Sequence, residues 1–239
     1  MAIDIVLMTE RDIPAAVKCV QTAFAEDPYF CWLFTASRYN IDRNAASLTA
    51  HFQYGLNCNA PMYIALQQSS TPDKPARIVG VSWWFPPPPA ASTWTTLAQD
   101  WLLSARQLVF NIRFGGRGGL NLRRYRLWKA LQRDAHAKLW TDPRGYYFCN
   151  VLAVDEAARG MGVGRKLVEV VTRRADQEGR PCYLESSRGM PNLVIYGRLG
   201  FEVFGEVDCV DGEDVSLLHG EAAEGEGLAG EKIMTYDFT

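Results

Sequence analysis

Arg159-Gly160-Met161-Gly162-Val163-Gly164 is the stretch whose residue types and spacing carry the most chemistry. It follows an apolar run ending at Val154 and opens an apolar-periodic segment from Val163 to Ala175. A strand is therefore predicted to pass through a glycine-rich turn into a helix. The first turn of a helix has N–H groups without internal partners, and the helix dipole adds partial positive charge there. Glycines let the backbone approach a ligand closely, so such a turn can wrap a phosphate or diphosphate. Three anion-binding patterns compete for it. A Walker loop ends in Gly-Lys-Ser/Thr, whereas this turn ends Gly164-Arg165-Lys166-Leu167 and places no hydroxyl for magnesium. A dinucleotide fingerprint needs Gly-x-Gly-x-x-Gly, and its last glycine falls on Arg165 or Leu167. The third pattern, Arg/Gln-x-x-Gly-x-Gly/Ala, is met by Arg159, Gly162 and Gly164.

Residues downstream give that third pattern its context. Leu184-Glu185-Ser186-Ser187 ends a short apolar run, and Asn192, Tyr196 and Leu199-Gly200-Phe201 follow. The loop and the string Asn-x-x-x-Tyr-x-x-Leu-Gly-Phe resemble the cofactor loop, helix and β-bulge strand of the GCN5-related N-acetyltransferases (GNAT). Within that superfamily the sequence is most similar to small-molecule acetyltransferases of the puromycin acetyltransferase type. The likeness is good over residues 146–204, loose over 1–85 and nearly absent over 86–145.

The resemblance implies acetyl-coenzyme A as cosubstrate and direct acyl transfer from its thioester to an amine. It implies that Leu152 and Val154 offer a backbone edge to the pantetheine arm. An N–H near Val154 would polarise the thioester carbonyl, an oxyanion-hole role. Arg159, Gly160, Met161, Gly162, Val163, Gly164 and Arg165 would hold the diphosphate, with side-chain charge from the two arginines. Asn192 would hydrogen-bond the pantetheine arm. Tyr196, four residues on and so on the same helical face, would protonate the departing thiolate. Only a neutral amine attacks, so a general base helps. Glu185, at the end of a central strand, is the candidate; a carboxylate capping the next turn is an equal reading. Asp155 is expected to shape the turn into the glycine loop. Cys149 has no base spaced to activate it as a nucleophile.

Composition bounds these readings. The chain has 239 residues, 48% of them hydrophobic, enough for one large domain with a real core. Its net charge of −2 gives no global attraction to nucleic acid or membrane. No apolar run reaches the roughly 20 residues of a membrane span, and no signal peptide is seen. Six cysteines are scattered without Cys-x-x-Cys, and the three histidines show no ligand spacing with them. Reduced thiols, a cytoplasmic setting and no metal are expected.

Positioning these residues calls for a defined set of elements. Ile3–Met8 reads as a strand. Asp12 and Pro14 open a helix striped by Ile13, Val17, Val20 and Phe24, which Pro28 stops. Ile41, Ala45, Leu48, Phe52 and Leu56 mark a second helix. Met62–Leu66 and Ile78–Phe85 read as paired strands around Pro72, Asp73 and Pro75. Trp83 and Trp84 alternate in direction, one toward the core and one toward an acceptor pocket. Pro86–Pro89 ends that strand. Trp94, Leu97, Trp101, Ala105, Leu108 and Ile112 predict a helix, as do Trp128, Leu131, Ala135 and Leu139, with Gly115–Gly119 as a break. Tyr146–Val154 and Pro181–Glu185 are predicted as parallel central strands. Phe201–Val210 and Lys232–Phe238 close the sheet as an antiparallel pair, joined by a Gly- and Glu-rich loop, His219–Gly230.

The expected fold is therefore α/β (α+β). It is a GNAT fold with a mixed, mostly antiparallel sheet, a splayed parallel central pair and helices on both faces. Residues 1–239 form one acetyltransferase domain, with a helical insertion at 86–145 that covers the acceptor side. Residues 101–133 hold cations and no acids, whereas 199–231 hold acids and no cations. The expected partner is a small-molecule amine, with no nucleic acid or membrane, in a monomer or homodimer. Acetylation of a protein lysine or N-terminus and a non-catalytic acyl-coenzyme A sensor are the alternatives.

Overall fold

Among the described residues, alternating apolar residues and glycine or proline breaks give seven strands in one sheet, ordered β1-β2-β3-β4-β5-β7-β6. The structure is a computed structural model that describes residues 2–68, 75–87, 94–139, 142–209, 211 and 230–236. The strands are β1 Ile3–Leu7, β2 Met62–Gln67, β3 Arg77–Phe85, β4 Tyr147–Val154, β5 Cys182–Ser186, β6 Glu202–Asp208 and β7 Gly230–Tyr236. Every neighbouring pair is antiparallel except β4 and β5, which run parallel. The helices are α1 Ile13–Ala23, α2 Pro28–Leu33, α3 Ile41–Asn57, α4 Trp94–Arg113, α5 Leu122–Leu139, α6 Val163–Glu178 and α7 Asn192–Gly197. This is the expected GNAT arrangement, with α4 and α5 between the third and fourth strands.

The parallel pair opens where the site lies. Pairing of β4 with β5 covers only Tyr147↔Cys182, Phe148↔Tyr183 and Cys149↔Leu184. Beyond Cys149, β4 continues to pair with β3 alone. One sheet face packs on α1 and α3 through Val17, Val20, Phe52, Ile64 and Trp83. The other packs on α6 through Val163, Leu167, Val168, Val171 and Ala175. Gly80 permits that approach: a Cβ there would lie 2.7 Å from Val163 Cγ1 and 2.9 Å from Leu167 Cδ1. Helix α6 is thus pressed against β3 and β4, which fixes the glycine turn before it.

Several local expectations are corrected. Asp12 does not cap α1 by its side chain; it accepts from the Thr9 N–H and hydroxyl and closes the preceding turn. Pro28 does not stop α1, which ends at Ala23. It begins the short helix α2, because its fixed φ and missing N–H suit a first turn, and Asp27 caps that helix by accepting from Phe30 N–H. Trp83 and Trp84 do point to opposite faces, Trp83 into the α1–α3 core and Trp84 into the α6 core. Both indoles are buried, so the expectation that one floors the acceptor pocket is corrected: neither lines the cavity between β4 and β5. The loop over 219–229, Pro72, Asp73, Pro88 and Pro89 lie outside the described residues. Of the two opposed charge runs, Asp211 meets Arg123 at 3.2 Å and Arg124 at 3.3 Å.

Candidate active site

The glycine turn begins where β4 ends. Asp155 caps the short turn at Glu156–Ala158 by accepting from Ala157 N–H at 3.0 Å, and it pairs with Arg77. Asp155 is therefore a turn-shaping residue, held by two partners of its own. Gly160 and Gly162 take φ of 76° and 75°, a left-handed conformation that side chains with a Cβ resist. Helix α6 then starts, and its first bond to the turn is Lys166 N–H to Gly162 C=O at 3.1 Å. The amides of Gly162, Val163, Gly164 and Arg165 are thus the unpaired first turn of a sixteen-residue helix. Arg159 is exposed beside them. Arg165 is also exposed but already pairs with Glu169 at 2.5 Å, so its charge is partly committed.

Strand β4 presents an edge to the same region. Asp155 N–H donates to Val79 C=O on β3 at 2.9 Å. Backbone direction alternates along a strand, so Leu152 and Val154 turn their amides to the side that β5 has left.

A cavity of about 160 Å³ lies in the gap between the parting strands. Leu152, Glu185, Asn192 and Tyr196 line it, so four of the residues singled out in the sequence meet there. The glycine turn and Val154 lie outside its lining. Asn192 Nδ2 donates to Ser186 Oγ at 3.1 Å, which fixes the amide at the start of α7. Tyr196 sits four residues on, its ring against Phe201 at 6.1 Å. Burial, reinforced by the nearby Cys149 and Asp27, pushes the Tyr196 phenol well above the ordinary tyrosine range. It therefore keeps its proton at any physiological pH. Burial likewise pushes up the Cys149 thiol, which leaves no thiolate for covalent chemistry.

Glu185 is tied more firmly than a solvent-facing carboxylate. Its side chain is 7% exposed. Gln132 Nε2 donates to Oε2 at 2.6 Å. Tyr183 donates its hydroxyl to Oε1, and His136 Nε2 lies 3.3 Å from the same oxygen. Tyr146 OH is 3.3 Å from His136 Nδ1. A carboxylate has about four acceptor positions. Among the described residues, Oε1 meets two groups and Oε2 one, which leaves Oε2 with a spare acceptor position.

The sequence reading missed these partners. Trp128, Gln132 and His136 recur every four residues and so share one face of α5; Trp128 and Gln132 line the cavity and His136 stands behind Glu185. That polar continuation of an apolar stripe was the available signal. Asp27 was also missed. It lines the cavity, is 7% exposed, and accepts from the Ser187 hydroxyl at 2.6 Å. Asp27-Pro28 is a helix-start pattern that could have flagged it. Trp128, Phe148, Phe24 and Tyr29 complete an aromatic wall. Among the described residues no cluster of three or more His, Cys, Asp or Glu is arranged to hold a metal ion. Within the same residues no helix is long and apolar enough to cross a membrane.

Comparison with known proteins bears on this geometry. Residues 125–203 match the sequence profile of the acetyltransferase (GNAT) domain. That GNAT domain runs from α5 through β4, the glycine turn and α7 into β6, and so contains the cavity lining from Trp128 onward. It belongs to transferases that move an acetyl group from acetyl-coenzyme A, and it makes the protein an enzyme of the acyltransferase class. No curated protein matches the chain in sequence. Solved structures share its fold at low identity. A histone acetyltransferase HPA2 and related acetyltransferase from Corynebacterium glutamicum is 20% identical with a TM-score of 0.56, covering 100% of this chain and 98% of that one. The polyamine N acetyltransferase of Drosophila melanogaster is 15% identical with a TM-score of 0.58, covering 98% of each. An N-acetyltransferase from Staphylococcus aureus Mu50 is 11% identical with a TM-score of 0.53 and covers both chains fully.

Proposed function

We propose that the protein transfers the acetyl group of acetyl-coenzyme A to the amine of a small molecule, by direct attack on the thioester. The observation that carries this reading is a tethered carboxylate, Glu185, in one cavity with a phenol that holds its proton, Tyr196, beside the open edge of β4. Acyl transfer calls for a base at the amine and an acid at the departing sulfur, and a carboxylate and a phenol both line this cavity. The diphosphate rests on the amides of Gly162, Val163, Gly164 and Arg165, helped by Gly160, Met161 and the Arg159 side chain. The pantetheine arm runs along Leu152 and Val154 as an added strand, with Asn192 holding it from α7.

The acceptor amine enters between Trp128, Phe148, Tyr29 and Phe24 and gives a proton to the remaining position on Glu185 Oε2. Nitrogen then attacks the thioester carbon. The carbonyl oxygen gathers charge against the Val154 amide, the carbon–sulfur bond breaks as Tyr196 protonates the departing thiolate, and the second proton leaving nitrogen restores the Tyr196 phenol, so that the one on Glu185 is the proton released. His136 donates its Nε2–H to Glu185 Oε1 while Tyr146 donates to Nδ1. That fixes both the tautomer and the carboxylate's orientation.

A small acceptor is favoured because Tyr29 of α2 and Trp128 of α5 put aromatic side chains around a cavity of only about 160 Å³. Two carboxylates, Glu185 and Asp27, suit a cationic amine. The polyamine enzyme among the structural neighbours acts on that class; the histone acetyltransferase among them points to a protein acceptor instead. Release of coenzyme A thiol is measured with acetyl-coenzyme A and a panel of diamines, arylalkylamines and lysine peptides. Release that depends on a small amine is expected. Release only with peptides would move the acceptor to protein, and tight cofactor binding without release under any acceptor would make the protein a sensor.

A further inference from the structure

Helix α4 turns most of its large apolar side chains to water and several polar ones to the protein. Arg43 on α3 donates to Gln107 Oε1 at 2.9 Å and Asn111 Oδ1 at 2.8 Å. Ser47 donates to Gln107 at 3.2 Å, and Asn57 to Gln99 at 3.1 Å. These polar groups of α4 thus face the protein, beside half-buried Leu103 and Phe110. The apolar side faces water: Trp94 is 89% exposed, Trp101 79%, Ile112 74% and Leu108 61%. No residue of α4 lines the cavity. A contiguous apolar face of this kind marks an interaction surface more often than chance.

We propose that a second copy of the chain docks on this face, through a two-fold antiparallel pairing of α4 with its counterpart. Three observations single out that occupant. The exposed residues Trp94, Ala98, Trp101, Ala105, Leu108 and Ile112 are spaced 4-3-4-3-4, the repeat of a helix–helix seam. Large and small residues alternate from Trp94 to Leu108, so that the central layers fit themselves. With the two-fold axis beside residue 103, Trp101 of each copy lies against Ala105 of the other, Leu108 against Ala98, and Trp94 against Ile112. Such isologous contacts close after two copies. None of the six seam positions carries a charge, since Asp100, Arg106 and Arg113 lie off the stripe, so two copies meet without like-charge repulsion.

The area is sufficient. An indole offers about 200 Å², and an aliphatic side chain about half that. Weighted by the exposure of Trp94, Trp101, Leu108, Ile112 and their neighbours Leu97 and Val109, the face offers roughly 570 Å² per copy. The total of about 1,100 Å² clears the roughly 1,000 Å² expected of a biological interface.

Sedimentation equilibrium on the full chain tests this. The wild type is expected to dimerise reversibly. Trp101→Ala opens a gap and Ala105→Trp a clash, and each is expected to raise the dimer Kd by about 10-fold or more. The double variant Trp101→Ala/Ala105→Trp rebuilds the same large–small layer with the roles exchanged, and its Kd is expected to return to within about 3-fold of wild type. These positions are exposed, so thermal melts of the monomer should barely move, which separates lost association from lost folding. A wild type that stays monomeric at every soluble concentration overturns the proposal. So does a dimer indifferent to either single change, or a double variant no better than the singles. A monomer that binds anionic vesicles through this face would assign the surface to lipid instead.

Discussion

Replacing Gly162 tests the diphosphate site with a magnitude that the backbone itself sets. Gly162 has φ 75° and ψ 13°, and a Cβ built there meets nothing within 4 Å. Steric collision with neighbours therefore cannot be the cost; the cost is backbone strain. A left-handed residue with a Cβ costs about 1–2 kcal/mol, less for Asn and more for a β-branched side chain. Gly160 and Met161 are exposed too, so little packing holds the free turn in place. The free variant relaxes its turn, and binding must restore it. Each 1.4 kcal/mol of that restoration weakens binding about tenfold. Gly162→Asn is expected to raise the Kd for acetyl-coenzyme A by only about 3-fold. Gly162→Ala is expected to raise it about 5- to 30-fold, and Gly162→Val further still. Titration calorimetry reads the series, with urea unfolding beside it to record any strain retained in the free protein. Unchanged affinity for Gly162→Val would refute the argument, because a diphosphate on these amides cannot ignore their geometry.

Tyr196→Phe is expected to lower kcat by about 10²-fold while calorimetry shows nearly unchanged acetyl-coenzyme A affinity, as for loss of a general acid. Because the folded-state phenol titrates well above the ordinary tyrosine value, its acid form persists through that range. The wild-type kcat should show no decline between about pH 8 and 10 from deprotonation of this group. A tyrosine-dependent fall there, absent in Tyr196→Phe, would contradict the burial argument. His136→Gln keeps a donor near the Nε2 position and is expected to retain kcat within about 3-fold, whereas His136→Asn should lose about 10-fold or more with cofactor affinity intact; equal activity of the two, measured by thiol release, would remove His136 from the orientation of Glu185. Leu167 is fully buried between α6 and the sheet, and Leu167→Ala is expected to cost about 2–5 kcal/mol of stability by urea unfolding.

Much of the molecule was legible because its parts are local. The turn at 159–164 announces itself through glycines at positions of positive φ, and α6 through the stripe Val163, Leu167, Val171. Asn192 and Tyr196 are one helical turn apart, so their shared face followed from spacing alone. The residues that tether Glu185 come from α5, about fifty positions earlier in the chain, and no local period reports that contact. The two tryptophans of β3 follow simple alternation, but alternation does not say that helices cover both faces of the sheet there, so both indoles are buried. Asp27 was hidden by reading Pro28 as a stop when its geometry equally starts a helix. The apolar stripe of α4 was legible, but its direction was not: periodicity marks a face without saying whether the chain's own core or water receives it.

The most direct test of the acyl-transfer account is a crystal structure with coenzyme A bound. The account predicts diphosphate oxygens within hydrogen-bond distance of the amides of Gly162–Arg165, pantetheine along Leu152 and Val154, and the thiol beside the Tyr196 hydroxyl. Coenzyme A seated elsewhere, with the turn at 159–165 empty, would contradict it.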